Sequence, residues 1–305
     1  MNLQQLQYFK MVAEMEHFTR AADKLSITQS SLSHAIRGME EELNVELFTR
    51  SGRNVVLTKY GKMLLPYVTD SLSTLEAGIS VLRDAIDPNS GMIAIDCFPS
   101  LITFLPDLII QYISETKRLN IHVQTNHQSF MLLKEHLLTG AVDLAFATKI
   151  DHPDIGCAPV GHHELVLLVS SRHRLASQNE VDLEELNGEE LIAYTDTCQI
   201  RHQIDGMFAF RGIQPKITME TEHDLFMYSL VAADYGVAIT PYPISGAPYN
   251  VRIVHIRSIE HMRTLYMMWN QSNYMSSAVE CFRDFVIKRG EVFDDFCRRN
   301  RLCGR

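Results

Sequence analysis

The sequence predicts an α+β multidomain fold: a small helical unit closed by a β-hairpin, one long helix, and a larger two-lobed α/β region. Three observations carry this. Up to Leu43 the apolar residues repeat at helical spacing in three short blocks, each ended by a polar or small-residue break. After Thr58 one long helical pattern runs to about Ile86, its apolar residues repeating every three and four positions from Leu65. From Met92 onward, short apolar runs with β character alternate with helical patterns. A chain of 305 residues is expected to hold two or three domains.

Composition narrows the class. Apolar residues make up 46% and charged residues 21%, the balance of globular proteins. No apolar run approaches the ~20 residues that cross a bilayer. The start, MNLQQLQYFK, lacks a basic patch followed by an apolar stretch, so a cytoplasmic location is expected, with no membrane partner. Six cysteines, Cys97, Cys157, Cys198, Cys281, Cys297 and Cys303, are scattered without a C-x-x-C pair, which argues against a disulfide framework or a metal site. Cys297 and Cys303 lie in a polar tail and are expected at the surface.

The first helix covers residues 2 to about 15, with Leu3, Leu6, Phe9, Val12 and Ala13 on one face. The second runs from about Phe18 to Leu25. Its paired Ala21 and Ala22 let another helix approach closely. Thr28 is a suitable N-cap for a third helix, from about Gln29 to Leu43, whose apolar face is Leu32, Ile36, Met39 and Leu43.

The opposite face of that third helix is the informative one. Ser30, Ser33, His34 and Arg37 fall together, with Gln29 and Ser31 near the helix start. Short hydrogen-bonding groups with one cation and one imidazole suit entry into a DNA major groove. The alternative is a plain polar face on a helical hairpin. The net charge of −9 argues against nucleic acid at first sight. Up to Leu65, however, Lys10, Arg20, Lys24, Arg37, Arg50, Arg53, Lys59 and Lys62 nearly balance Glu14, Glu16, Asp23, Glu40, Glu41, Glu42 and Glu46. DNA binding needs a local basic surface, not a basic whole.

Val45 to Arg50 and Val55 to Thr58 read as two short strands around the turn Ser51-Gly52-Arg53-Asn54. Arg50 and Arg53 flank its tip, placed for phosphates or the minor groove. Three helices and a basic wing make a winged helix-turn-helix. The candidate DNA-binding residues are Thr28, Gln29, Ser30, Ser31, Ser33, His34, Arg37, Arg50 and Arg53.

Residues 1 to about 65 resemble the DNA-binding domain of LysR-type transcriptional regulators. The matching residues are Phe18-Thr-Arg-Ala-Ala-Asp-Lys-Leu25, Thr28-Gln29-Ser30-Ser31-Leu32-Ser33, Met39-Glu40, Leu43, Leu47-Phe48-Thr49-Arg50, Arg53 and Leu57-Thr58-Lys-Tyr-Gly61. So many fixed spacings in one register are specific. Asn44 stands where the family usually has Gly, and Asn is the next-best residue for a left-handed backbone. Met39 replaces a usual Leu.

In the long helix, Leu65, Val68, Leu72, Leu75, Ile79, Leu82 and Ile86 form a heptad seam. A coiled-coil partner is the expected use of it, and packing on its own domain is the alternative. Pro66 should kink or loosen the early turns. The resemblance also implies a dimerising linker here, and a homotetramer built as a dimer of dimers. Asp87-Pro88-Asn89-Ser90-Gly91 then reads as a hinge. The expected boundaries are 1–60 for the winged unit, 61–90 for the linker and hinge, and 91–305 for the remainder.

In that remainder, strands are expected at Met92–Phe98, Ile121–Thr125, Val142–Thr148, Leu165–Ser170, Leu191–Tyr194, Lys216–Glu220, Val237–Thr240, Arg252–Ile256 and Leu265–Trp269. Helices are expected from Ser100 to Arg118, from Ser129 to Thr139, and from near Tyr274 to the end. The alternation predicts a mainly parallel sheet with helices on both faces. Over 200 residues are too many for one small sheet, so two lobes follow: 91–162 with 265–305, and 163–264. The shape resembles the family's effector-binding domain, which is periplasmic-binding-protein-like. That part of the resemblance rests on Gly140-Ala-Val-Asp-Leu-Ala-Phe146 and Gly236-Val-Ala-Ile-Thr-Pro241.

Ligands of such sheets bind beyond the carboxyl ends of strands, between lobes. Ser100, Thr103, Ser129, Thr148, Thr197 and His202 follow strands or open helices there. They are the candidate effector residues, for a small polar ligand such as a carboxylate. Helix capping is the alternative role of each. The expected partners are operator DNA, this small molecule and further copies of the chain. Because an effector would act on DNA bending and promoter access, RNA polymerase is expected as well. No cofactor is expected.

An α/β enzyme with an accessory helical domain is the competing class. The sequence has no G-x-G-x-x-G after a strand, no phosphate-binding loop and no G-x-S-x-G. His162-His163-Glu164 is too tightly spaced for a helical zinc pair, and none of the 13 histidines comes with an evident nucleophile. A transport-type solute binder would leave the N-terminal unit unexplained.

Overall fold

The structure is a computed structural model of the chain. It describes all residues except 52–53, 87–90, 119, 128–129, 245, 247–249, 258–261 and 301–305. It divides into two compact units, Met1–Ile86 and Asp87–Arg305.

The first unit contains α1 (Leu3–Met15), α2 (Phe18–Lys24), α3 (Gln29–Leu43), β1 (Phe48–Ser51), β2 (Asn54–Leu57) and α4 (Lys59–Ile86). Each helix start is capped by a side chain. Asn2 and Gln5 form a reciprocal capping box on α1, His17 caps α2, and Thr28 caps α3. Asn44 ends α3 in the left-handed conformation with φ 52°, as its short amide side chain allows. Phe9, Val12, Ala21, Ala22, Leu32, Ile36 and Met39 form the core, with Leu47, Phe48 and Val68. Burying each large side chain contributes about 1.5–3 kcal/mol.

The connection from α3 to β1 is held by Glu40, whose Oε1 accepts from Leu47 N at 2.7 Å and Phe48 N at 3.2 Å. The strand begins at Phe48 rather than Val45, the Leu47 and Phe48 amides being tied to Glu40 at its start. The hairpin is antiparallel, with Arg50 opposite Val55. α4 then runs unbroken through Pro66.

The second unit has β3 (Gly91–Cys97), α5 (Phe104–Thr116), β4 (Ile121–His127), α6 (Phe130–Thr139), β5 (Leu144–Ala147) and β6 (Ile155–Ser170). It continues through β7 (Glu180–Val181), β8 (Glu190–Tyr194), α7 (Gln199–Phe210), β9 (Lys216–Thr221), α8 (Asp224–Ala232) and β10 (Ala238–Pro241). It ends with β11 (Val251–Ile256), β12 (Met262–Asn270), α9 (Ser277–Arg289) and α10 (Val292–Asn300). Three differences from the sequence reading matter. A 3-10 turn at Pro99–Leu101 precedes α5, so the helix starts at Phe104 instead of Ser100. The terminal helix is two helices, broken at Gly290. Cys297 is buried on the apolar face of α10 beside Phe293 and Phe296, not exposed in a polar tail.

The main sheet has the order β4-β3-β5-β12-β6-β11-β7, with β10 also on β6. It is mixed rather than mainly parallel. β3 pairs β4 and β5 in parallel, but β12 runs antiparallel to both β5 and β6. The reason is the two-lobed path. β6 leaves the first lobe and β12 returns to it, so the two crossing strands lie side by side in opposite directions. The first half of β6 pairs β12, and its second half pairs β10 and β11. One core gathers the side chains of β3, β5, α5, α9 and α10, and a separate one those of β8, β10, β11, α7 and α8. Among the described residues no helix is long and apolar enough to cross a membrane.

Candidate functional site

Two surfaces carry chemistry. The first is the outer face of α3. Thr28 Oγ1 accepts from Ser31 N at 3.2 Å and lies 3.0 Å from Ser30 Oγ and 2.8 Å from Ser31 Oγ. Gln29 Nε2 donates to Ser33 Oγ at 2.9 Å. Thr28, Gln29, Ser30, Ser31, His34 and Arg37 are exposed, and Ser33 is half-buried. The first turn of α3 has no acidic residue, so a row of hydroxyl, amide, imidazole and guanidinium groups meets solvent at the positive end of a helix. His34, Arg37 and Arg50 make no ion pair among the described residues, which leaves their donors available. Arg50 is exposed on β1. Arg53, the other wing arginine, lies outside the described residues.

The second surface is a cleft of about 1700 Å³ between the two lobes of the second unit. Ser100 and Thr148 line it from the first lobe, and Thr197 and His202 from the second. The structure thus brings four of the six candidates onto one cavity. Thr103 is not among them. With α5 starting later than expected, its Oγ1 is buried and has no hydrogen-bond partner among the described residues. Ser129 lies outside the described residues. The rims are joined where Thr148 Oγ1 donates to Gln199 Oε1 at the start of α7. Thr197 Oγ1 donates to Glu222 Oε1 at 2.9 Å.

The floor of the cleft holds residues that the sequence reading missed. Arg263 on β12 is 6% exposed and lies opposite His163 on β6. Its Nη2 donates to Ser100 Oγ at 2.7 Å and to His163 Nδ1 at 3.1 Å. Accepting at Nδ1 requires the other tautomer, in which Nε2–H donates to Tyr242 O at 2.9 Å. Burial, together with the Arg263 charge, holds the His163 imidazole down at about 3, so it is neutral. Burial also lowers Arg263, to about 10, which leaves it a cation at neutral pH.

Across the cleft, Tyr194 donates to Asp224 Oδ1 at 2.5 Å, and burial raises both groups. The signal for Arg263 was one step away. Extending the strand expected at Leu265–Trp269 by two residues puts Arg263 on the buried face of Leu265 and Met267. The run His162-His163-Glu164 is no cluster, because successive strand residues face opposite ways. His162 meets Asp294, His163 meets Arg263, and Glu164 meets His255. Among the described residues no group of His, Cys, Asp and Glu is arranged to hold a metal.

Comparison with known proteins finds relatives for both units of the chain. Residues 3–62 match the bacterial regulatory helix-turn-helix model of the lysR family, and residues 87–291 match the LysR substrate-binding domain. The HTH-type transcriptional regulator YybE of Bacillus subtilis (strain 168) is 30% identical over 94% of this chain and 98% of its own. The effector-binding domain of QuiR, solved in complex with shikimate, is 30% identical, with a TM-score of 0.63, covering 66% of this chain and 98% of that one. Full-length CbnR, 21% identical, superposes with a TM-score of 0.72 over 95% of this chain and 99% of its own, which shows the shared fold. The chain therefore belongs to the LysR family of bacterial transcription regulators, DNA-binding proteins with an effector-binding domain and not enzymes.

Proposed function

We propose that this regulator reads its operator with Thr28, Gln29, Ser30, Ser31, Ser33, His34 and Arg37 in the major groove, while Arg50 and Arg53 hold the backbone or minor groove. The observation that carries this is the exposed, acid-free start of α3. Guanidinium and amide groups there match the acceptor and donor pattern of base edges, and short hydroxyls avoid steric conflict. Two copies joined through α4 would present two such helices to a roughly palindromic site. A dimer of dimers acting in the cytoplasm completes the assembly.

The effector is a small polar molecule held in the cleft by Ser100, Thr148, Thr197 and His202, with Ser129 as a further contact. QuiR's ligand, shikimate, is a small hydroxylated carboxylate, which supports this class. Binding shifts the lobes, the change passes to the arrangement of DNA-binding units, and RNA polymerase access changes with DNA bending; the hinge expected at 87–91 lies, but for Gly91, outside the described residues. An effector acts only by binding one arrangement better than another.

Gel shifts on the intergenic DNA beside the protein's own gene test the reading. Sequence-selective retardation that weakens with salt is expected. Arg37→Ala should lose about ten- to a hundredfold in operator affinity and discriminate less at one base. Arg50→Ala should weaken all sequences alike and reduce the salt slope. Equal retardation of operator and random DNA by the unaltered protein would remove this assignment of α3.

A further inference from the structure

Arg263 is a buried cation without a matching anion. Its two hydrogen bonds both leave from Nη2 and end on neutral acceptors, the Ser100 hydroxyl and the His163 imidazole. Its Nε is fully buried and has no partner among the described residues. No carboxylate pairs with it within salt-bridge distance among the described residues, and the Phe98 ring centroid lies 5.7 Å from its guanidinium carbon. Burying a charge is costly unless it is paired. A guanidinium offers five N–H donors, and one of its nitrogens is occupied here.

Asp224 is the complementary group on the facing wall. Its Oδ1 accepts from Tyr194, and Oδ2 has no donor among the described residues. Arg263 and Asp224 both line the cleft and feel each other's charge, yet do not form an ion pair. Phe98, Phe130, Phe226 and Ile244 give the space between them apolar sides. A guanidinium at one end, a carboxylate oxygen at the other and apolar walls between define a ligand.

We propose that Arg263 is the anion anchor of this cleft, and that the effector is a small organic carboxylate bearing a hydrogen-bond donor, with the carboxylate on Arg263 and the donor on Asp224. This rests on the cleft being the effector site. The carboxylate takes the donors that Ser100 and His163 leave open, in the geometry for which guanidinium is suited. Ser100, already held by Arg263, contributes its hydroxyl to the same anion. Because Arg263 and His163 face each other on the two crossing strands, the ligand is read at the junction of the lobes.

The full-length protein is titrated by calorimetry with benzoate, 3-hydroxybenzoate and shikimate, each beside its primary amide. Each acid is expected to bind about tenfold or more tightly than its amide, the size of one charge-assisted contact. Arg263→Met should erase the preference, and Arg263→Lys should keep part of it. Asp224→Asn should cancel the advantage of 3-hydroxybenzoate over benzoate. Circular dichroism checks the fold of the variants, and the acid–amide comparison on the unaltered protein stands if Arg263→Met fails to fold. Acids and amides binding alike, no acid binding at all, or an undiminished preference in folded Arg263→Met would each overturn the anchor. Operator gel shifts run in parallel separate the two readings. A neutral compound that alters DNA binding, with the acids inert, removes the anchor and keeps the effector cleft. Tight acid binding that never alters DNA binding removes the effector reading and keeps the anchor.

Discussion

His163 stays neutral because it is buried, and because protonation would put a second cation beside Arg263 and cost it the acceptor at Nδ1. Its folded value of about 3 lies below the ordinary 6.5 of an unfolded histidine. The unfolded chain therefore binds a proton that the folded one refuses. Stability tied to this group is complete above pH 6.5 and is lost as pH falls through the interval down to about 3. The slope is about 1.4 kcal/mol per pH unit. His163→Gln removes the titration while offering an amide oxygen to Arg263 and an amide N–H to Tyr242. Urea unfolding followed by Trp269, the single tryptophan, reports on the second unit. Between pH 6 and pH 4 the variant should lose less stability than the unaltered protein, by roughly that slope. Parallel losses would show that His163 protonates in the folded state.

Gly61 shows how one residue fixes the junction of two elements. A Cβ there would lie 2.3 Å from Leu47 O and 2.6 Å from Leu57 Cδ2. The same Leu47 carbonyl accepts from Thr58 N at 2.9 Å, and Thr58 Oγ1 accepts from Gly61 N at 3.2 Å. The wing and the first turn of α4 are thus clamped on one carbonyl. Gly61→Ala should destabilise the first unit by about 1–3 kcal/mol, as overpacking against backbone does. Loss of helical circular dichroism at lower urea would register it, and an unchanged midpoint would mean the junction yields freely. The spacing of Thr58 and Gly61 was visible in the sequence, but the clash that explains it was not, since it involves a residue fourteen positions earlier. β6 was half-hidden for a related reason. The strand was expected only from Leu165, and Gly156, Pro159 and Gly161 weaken the strand signal in the half before it. The chain accommodates them with a register shift at Val160 and by leaving that half of β6 without a second strand neighbour among the described residues. At Gly161, with φ 143°, the missing Cβ lets the Asp294 carboxylate in to accept from His162 N at 2.7 Å. Local propensity does not contain such compensations from distant chain.

The heptad seam of α4 divides along its length into a buried early part and an exposed later part. Val68 is buried, and Leu65 and Leu72 pack on the core of the first unit, so the early seam is used internally. Leu75, Ile79, Leu82 and Ile86 are 44%, 40%, 65% and 83% exposed, an apolar stripe that ordinary surfaces do not keep. Sequence periodicity predicted one continuous seam, because spacing alone cannot distinguish a stripe used against the same chain from one used against another. Recognition of the family came from local spacings in the first unit. The Arg263 anchor stayed hidden because it depends on strands about a hundred residues apart. If the later stripe is the dimer surface, charge placed on it should separate the copies without harming the fold. Ile79→Glu and Leu82→Glu should each lower the mass found by sedimentation equilibrium and leave helical circular dichroism unchanged. Operator affinity should fall by at least about tenfold, since a lone recognition helix loses the second half-site. Val68→Glu should instead unfold the first unit, because that position faces its core. Unchanged mass in both later variants would move the dimer contact off α4 and require another surface to set the half-site spacing.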